Sequence, residues 1–312
     1  MSIHRLLGIH VSVPEPAILS AFYDELGLAG DAGTGFTGTD GGASLTVTDG
    51  PFRRLDSVSV GCHDEADLAT MATRLVDGGA ATVVRDDGVL AVVDPATHVR
   101  FEVRVAEPFA TQTPPDLVVP NMPGAVVRPD RRSPTVFGVP RPPRRLGHIV
   151  IGSPDLAGTV TLLSEGLGFK VTDSVAGVIA FLRCSTDHHN VAVVESPVPL
   201  LQHYSWECDD VDHVGHTATA LYRADPERNA WGMGRHFAGS NFYWYLRDPS
   251  GSFLELFSDL DQILDDEAWE STGRTEFDLE HVANSWGPNL PVEFIVPADL
   301  DVVQQGWERW PS

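Results

Sequence analysis

The stretch LGHIVIGSPDLAGTVTLLSEGLGF (146–169) decides the fold, because LGIHVSVPEPAILSAFYDELGL (7–28) repeats its plan. Each opens on an apolar run, turns at a proline (Pro154, Pro14) and continues with apolar residues at helical spacing before a glycine. Leu156, Val160, Leu163 and Leu167 carry that spacing in one copy; Ile18, Leu19, Phe22 and Leu26 carry it in the other. Two further landmarks follow in the same order. RLDSVSVGCHDEADL (54–68) matches LLQHYSWECDDVDHV (200–214), and VVDPATHVRFEVR (92–104) matches LRDPSGSFLELFS (246–258). Matches in one order argue duplication of a unit. Each unit reads as strand, helix and several strands, with a second helix at 65–77 and at 210–224. A Pro/Arg-rich connector (126–145) is expected to be extended between them. After Asp259 comes a tail with Trp269, Trp286 and Trp307, and the tryptophans predict that it packs down. Its acidic run, Asp261 to Glu270, reads as a solvated face or a short helix.

Composition bounds the function. The chain has 312 residues, 44 acidic against 21 basic, and a formal net charge of −23. Such acidity repels phosphate backbones, so nucleic acid is excluded as a partner. No apolar run approaches the ~18–20 residues of a membrane span, and no signal peptide is visible at the start, so a cytoplasmic protein is expected. Three scattered cysteines (Cys62, Cys184, Cys208) make neither a disulfide framework nor a zinc cluster.

The repeat permits a subtraction. Aligning the prolines pairs His148 with Gly8; aligning Cys208 with Cys62 pairs His203 with Ser57; aligning the Asp-Pro turns pairs Glu255 with Phe101. On this alignment Glu102 falls on the opposite strand face. The second half thus carries two histidines and a glutamate that the first lacks. Glu255 sits among Phe253, Leu254, Leu256 and Phe257, where a bare carboxylate is costly. Two imidazoles and a carboxylate on one face of a metal leave open positions and suit Fe(II). His188, His189, His236 and Tyr245 stand near these landmarks and offer proton donors and acceptors. His213 and His216 read as a solvated helix face. His4, His10, His63, His98 and His281 have no partner pattern and read as structural or exposed.

LGHIVI, DHHNVAVV, HYSWEC and above all GRHFAGSNFYWYLRDPSGSFLELF (234–257) resemble the type I extradiol ring-cleavage dioxygenases of the vicinal oxygen chelate superfamily. ANSWGPNLPVEF (283–294) is similar to the C-terminal extension of homoprotocatechuate-type members. The resemblance implies an α+β fold of two tandem vicinal oxygen chelate domains. Each would be a pair of βαβββ modules forming an open, curved mixed sheet around a metal cleft. The expected division is 1–125 without a metal site, the connector 126–145, a catalytic domain 146–258, and a tail 259–312. His148, His203 and Glu255 match the ligands of Fe(II), in some members Mn(II). His189 matches the acid–base histidine; His236 and Tyr245 match the pair that holds the substrate oxygens. The expected substrates are a catechol and O₂, with a hydroxymuconic semialdehyde-type product, and homo-oligomers are common in the family. Other metal enzymes of the fold (isomerase, epimerase or aminophenol dioxygenase) and a non-catalytic aromatic-ligand binder remain alternatives. Departures are Gln202 where many members have histidine, and Phe237-Ala238-Gly239-Ser240 where some place a polar or acidic residue. Val150, Phe181 and Trp206 predict an apolar pocket, and the absence of an arginine close before Trp286-Gly287 favours a neutral catechol.

Overall fold

The computed structural model describes residues 2–80, 83–110, 119–271 and 283–310. Strands β1 (Ile3–Val13), β2 (Ser44–Asp49), β3 (Arg54–Cys62), β4 (Val83–Asp86), β5 (Val89–Val93) and β6 (Arg100–Val105) form a six-stranded mixed sheet. Helices α1 (Pro16–Leu26) and α2 (Glu65–Asp77) follow β1 and β3. The second sheet has eight strands: β7 (Arg145–Ser153), β8 (Lys170–Val175), β9 (Ile179–Arg183), β10 (Val191–Glu195), β11 (Leu200–Glu207), β12 (Asn229–Arg235), β13 (Phe242–Arg247) and β14 (Phe253–Ser258). Here α3 (Leu156–Thr161), prolonged by a π turn, and α4 (Val211–Ala224) occupy the equivalent places. Asp64, Asp155 and Asp210 cap α2, α3 and α4 by accepting backbone N–H bonds, which fixes where each strand-to-helix turn ends.

The order β12-β13-β14-β11-β7-β10-β9-β8 sets two βαβββ modules side by side through β7 and β11. The first sheet, β2-β1-β3-β6-β5-β4, repeats it with an abbreviated first module. Isolated bridges Ala29–Thr37 and Phe36–Leu45 stand there in place of fuller strands. One apolar core runs beneath both sheets, from Ile9, Phe22 and Leu68 to Ile149, Tyr204 and Leu254. Across it Tyr23 donates to the Tyr204 hydroxyl (3.0 Å), which donates to Asp248 (2.8 Å). Trp206 belongs to this core and not to a pocket, because alternation along β11 turns it away from His203.

Three expectations change. Register pairs Ser59 with Glu102 in the first sheet and Ser205 with Glu255 in the second. Glu102, not Phe101, is therefore the counterpart of Glu255. The cause is one extra residue in the turn after Asp94: its N–H bonds Val99, five residues on, whereas the Asp248 N–H bonds Ser252, four on. Phe101 is core, and Glu102 is held by Ser59 (3.2 Å) and Arg100 (2.8 Å). Second, His213 is buried and His216 half-buried, so they are not a solvated face. Their Nε2 atoms donate to the carbonyls of Arg141 (3.1 Å) and Thr135 (2.8 Å), so α4 fastens the connector. Third, the acidic run is both things: Asp266–Ser271 is a short helix without a buried residue. In the tail Trp307 packs on Phe52 (ring centroids 5.1 Å) and His98, and Trp269 lies 5.7 Å from His188, whereas Trp286 is half exposed. His281 and Arg274 lie outside the described residues.

Candidate metal centre

Register explains why the distant residues meet. His148 on β7 stands opposite Ser205 on β11, Ser205 opposite Glu255 on β14, and Glu255 opposite Tyr245 on β13. Residues in one such row share a sheet face. The next row on that face is Phe253, His203, Val150, Ala192 and Phe181. Two adjacent rows thus lay His148, His203, Glu255, Tyr245, Val150 and Phe181 on the floor of one cavity of about 290 Å³.

The ligand atoms of His148, His203 and Glu255 lie within 4.8 Å of one another, and all three residues are buried. His148 Nε2 is 2.7 Å and His203 Nε2 3.6 Å from the same carboxylate oxygen. Ser205 donates to that oxygen (2.5 Å), and the Asn241 amide donates to the other (3.1 Å). Burial works to raise the Glu255 carboxyl, but the imidazoles of His148, His236 and His203 outweigh it and hold it well below the usual range. Burial pushes His203 down to about 3. A buried carboxylate thus faces imidazoles, with no arginine or lysine pairing it among the described residues. A divalent cation supplies the missing positive charge, and two imidazoles with one carboxylate suit Fe(II) or Mn(II).

The surrounding groups orient the set. His203 donates its Nδ1–H to the Gln202 amide oxygen, so its Nε2 keeps the lone pair a metal needs. The His148 Nδ1 is buried without a partner. On one side His189 packs against His148 (ring centroids 4.2 Å) and Phe181 (5.1 Å), and burial lowers its basicity well below that of free imidazole. On the other, His236 donates its Nδ1–H to the Ala283 carbonyl (2.5 Å), and its Nε2 is 2.9 Å from the Tyr245 hydroxyl. Burial pushes the Tyr245 phenol well up, so it stays protonated. Of the residues drawn from the sequence, His148, His203, Glu255, His189, His236, Tyr245, Val150 and Phe181 line this one cavity, whereas Trp206 and His188 do not. Asn241 joins the lining and Ser205 supports Glu255 from behind without a sequence signal, since a lone serine or asparagine in a strand run is unremarked; Ala283 and Phe294 join it from the tail segment 283–294. Most of the remaining wall is apolar, Val150, Val178, Ile179, Phe181, Leu290 and Phe294 among others; Glu195, Ser196 and Gln202 also line it, and no arginine or lysine is among the described lining residues.

Residues 145–256 match the model of the Glyoxalase/Bleomycin resistance protein/Dioxygenase superfamily. It is 28% identical over 308 residues to metapyrocatechase 2 of Cupriavidus necator, covering 94% of this chain and 92% of that protein. It is 25% identical to a manganese-dependent 2,3-dihydroxybiphenyl 1,2-dioxygenase of Geobacillus genomosp. 3, covering 79% and 80%. The fold is shared with homoprotocatechuate 2,3-dioxygenase of Brevibacterium fuscum: TM-score 0.72 at 18% identity, covering 95% of this chain and 92% of that one. No described helix is long and apolar enough to cross a membrane.

Proposed function

We propose that this protein is an extradiol dioxygenase that opens the ring of a neutral, apolar-substituted catechol, with both atoms of O₂ entering the product. One observation carries the reading: His148, His203 and Glu255 converge at the floor of an apolar cavity, with His189 on one side and the His236–Tyr245 pair on the other. Fe(II) or Mn(II) held by those three side chains supplies Lewis acidity toward vicinal hydroxyls and an electronic link to O₂. The protein's own groups do the rest. Val150, Phe181 and Phe294 enclose the ring and exclude water, which strengthens each polar contact inside. Tyr245 donates to His236 Nε2, and its oxygen is free to accept from a catechol hydroxyl. His189 Nε2 takes a proton from the substrate and returns it to the reduced oxygen. With no arginine or lysine among the described residues of the wall, a substrate carboxylate finds no cationic partner there and pays its desolvation. The division into 1–125, 126–145, 146–258 and 259–312, a homo-oligomeric state and a cytoplasmic location belong to the same proposal.

The test is oxygen uptake by anaerobically purified, Fe(II)-loaded protein. Catechol and 2,3-dihydroxybiphenyl are expected to give a yellow product, and a carboxylated catechol little. No uptake with any catechol of a panel overturns the reading. His189→Asn is expected to keep metal and substrate binding while kcat falls ~10²-fold; unchanged kcat removes its assigned role.

A further inference from the structure

Behind His189 lies a second buried ring, His188, and behind that a carboxylate, Asp173. His188 is 0% exposed and Asp173 5%. His188 Nε2 is 2.8 Å from Asp173 Oδ2, and its Nδ1 is 3.1 Å from His189 Nδ1. A carboxylate only accepts, so the His188 hydrogen sits on Nε2. In the neutral ring Nδ1 is then the acceptor, and the hydrogen between the two rings belongs to His189 Nδ1. That leaves a bare lone pair on His189 Nε2. Among the described residues no hydrogen bond reaches this atom, and His189 lines the cavity.

The surroundings hold the chain rigidly. The His188 N–H donates to the Asp261 carbonyl (2.9 Å). Asn190 Oδ1 accepts from the backbone of Cys184 (2.9 Å) and Ser185 (3.1 Å), which closes the turn before the two histidines. Phe181 and Trp269 lie 5.8 and 5.7 Å from the His188 ring. At Gly239 (φ +82°) a Cβ would come within 3.3 Å of His188 Nδ1, so the glycine keeps that edge of the ring clear.

We propose that His188 and Asp173 are positioning residues that hold His189 in its Nδ1–H form, with Nε2 presented to the catechol as a base. This deepens the dioxygenase reading and rests on it for the role of His189. The arrangement acts through orientation alone: a wrong tautomer would put a hydrogen where the lone pair must be, slowing turnover without weakening substrate binding.

Two measurements test it. In the metal-free full-length chain labelled with ¹⁵N-histidine, with His189→Asn identifying the signals, His189 is expected to show a pyridine-type Nε2 and a pyrrole-type Nδ1. His188→Leu removes the acceptor and should shift both signals toward the other tautomer. His188→Gln, whose amide oxygen replaces the acceptor, should largely restore them. In the metal-loaded enzyme, His188→Leu should lower kcat ~10-fold or more with KM and metal content little changed, and His188→Gln should recover most of it. A pyrrole-type Nε2 in the unmutated chain overturns the proposal. So does an unchanged kcat in His188→Leu, or an equal loss in both variants. Should the unmutated enzyme open no catechol, the dioxygenase reading fails, while the nitrogen signals still decide the positioning.

Discussion

The Gln202 amide faces two ways. Its oxygen accepts the Nδ1–H of His203, and its nitrogen donates to the Phe294 carbonyl in the tail (2.9 Å). This chain thus uses an amide to set the tautomer of His203, a member of the candidate metal set. Gln202→Ala is expected to weaken metal binding ~10–100-fold, read from a metal titration of the purified chain; unaltered affinity would show that His203 needs no such partner. The convergence of His148 and His203 was legible in the sequence because duplication supplies a control copy in which Gly8 and Ser57 stand in their place. Ser205, Asn241 and Asp173 were not, since their work depends on a row or a cavity that no spacing along the chain encodes. His188 was visible only as half of a pair whose geometry decides everything.

At the scale of the element, the repeat predicted the helices and central strands well, because amphipathic spacing and proline turns survive duplication. It failed by one residue at β6. A turn one residue longer moves every side chain after it to the other face, so Glu102 and Phe101 exchanged places relative to the aligned landmarks. The first sheet therefore kept the Ser–Glu pair of the site while losing both histidines. Gly8 explains part of that loss: a Cβ there would lie 2.7 Å from the Ser44 carbonyl, because β2 runs alongside β1 at that point. In the second sheet the turn that carries His188 and His189 is anchored by Asp187. Arg145 binds it through two N–H bonds (2.9 and 3.0 Å), and Gln262 adds a third (2.7 Å). Burial works to raise the Asp187 carboxyl, and Arg145 overcomes it, so the folded group titrates below its ordinary 3.8. A depressed carboxylate stabilises the fold above its unfolded pKa and loses that contribution as pH falls through the folded value. The unfolding free-energy gap between the unmutated chain and Asp187→Asn should accordingly be flat from pH 7 to about 4 and shrink below 3.8. A gap that stays constant to pH 3 would mean that the Arg145 pairing contributes nothing.

For the whole molecule, the tail ties the two sheets together. Phe52, which follows β2, is 2% exposed and packs with Val303, Val198 and Leu200 beneath the rings of Trp307 and Trp310. Beside it, buried Arg53 donates to the Leu201 carbonyl (2.8 Å) and to Asp299. A buried phenylalanine cut back to alanine costs ~3–5 kcal/mol. Phe52→Ala should lose that much in denaturant unfolding, although Phe52 does not line the metal cavity; a loss under ~1 kcal/mol would show that the tail docks without it. The tryptophans announced this docking in the sequence but not its address, which depends on how two distant copies of a unit sit across one core.

The Gln202 bridge also has a thermodynamic meaning. His203 and the tail share one side chain, and binding linkage is reciprocal. Whatever holds His203 in its ligating pose favours Phe294 over the cavity, and whatever lifts Phe294 away loosens His203. If metal binding at His203 and the seating of Phe294 are coupled through Gln202, each would strengthen the other by the same factor.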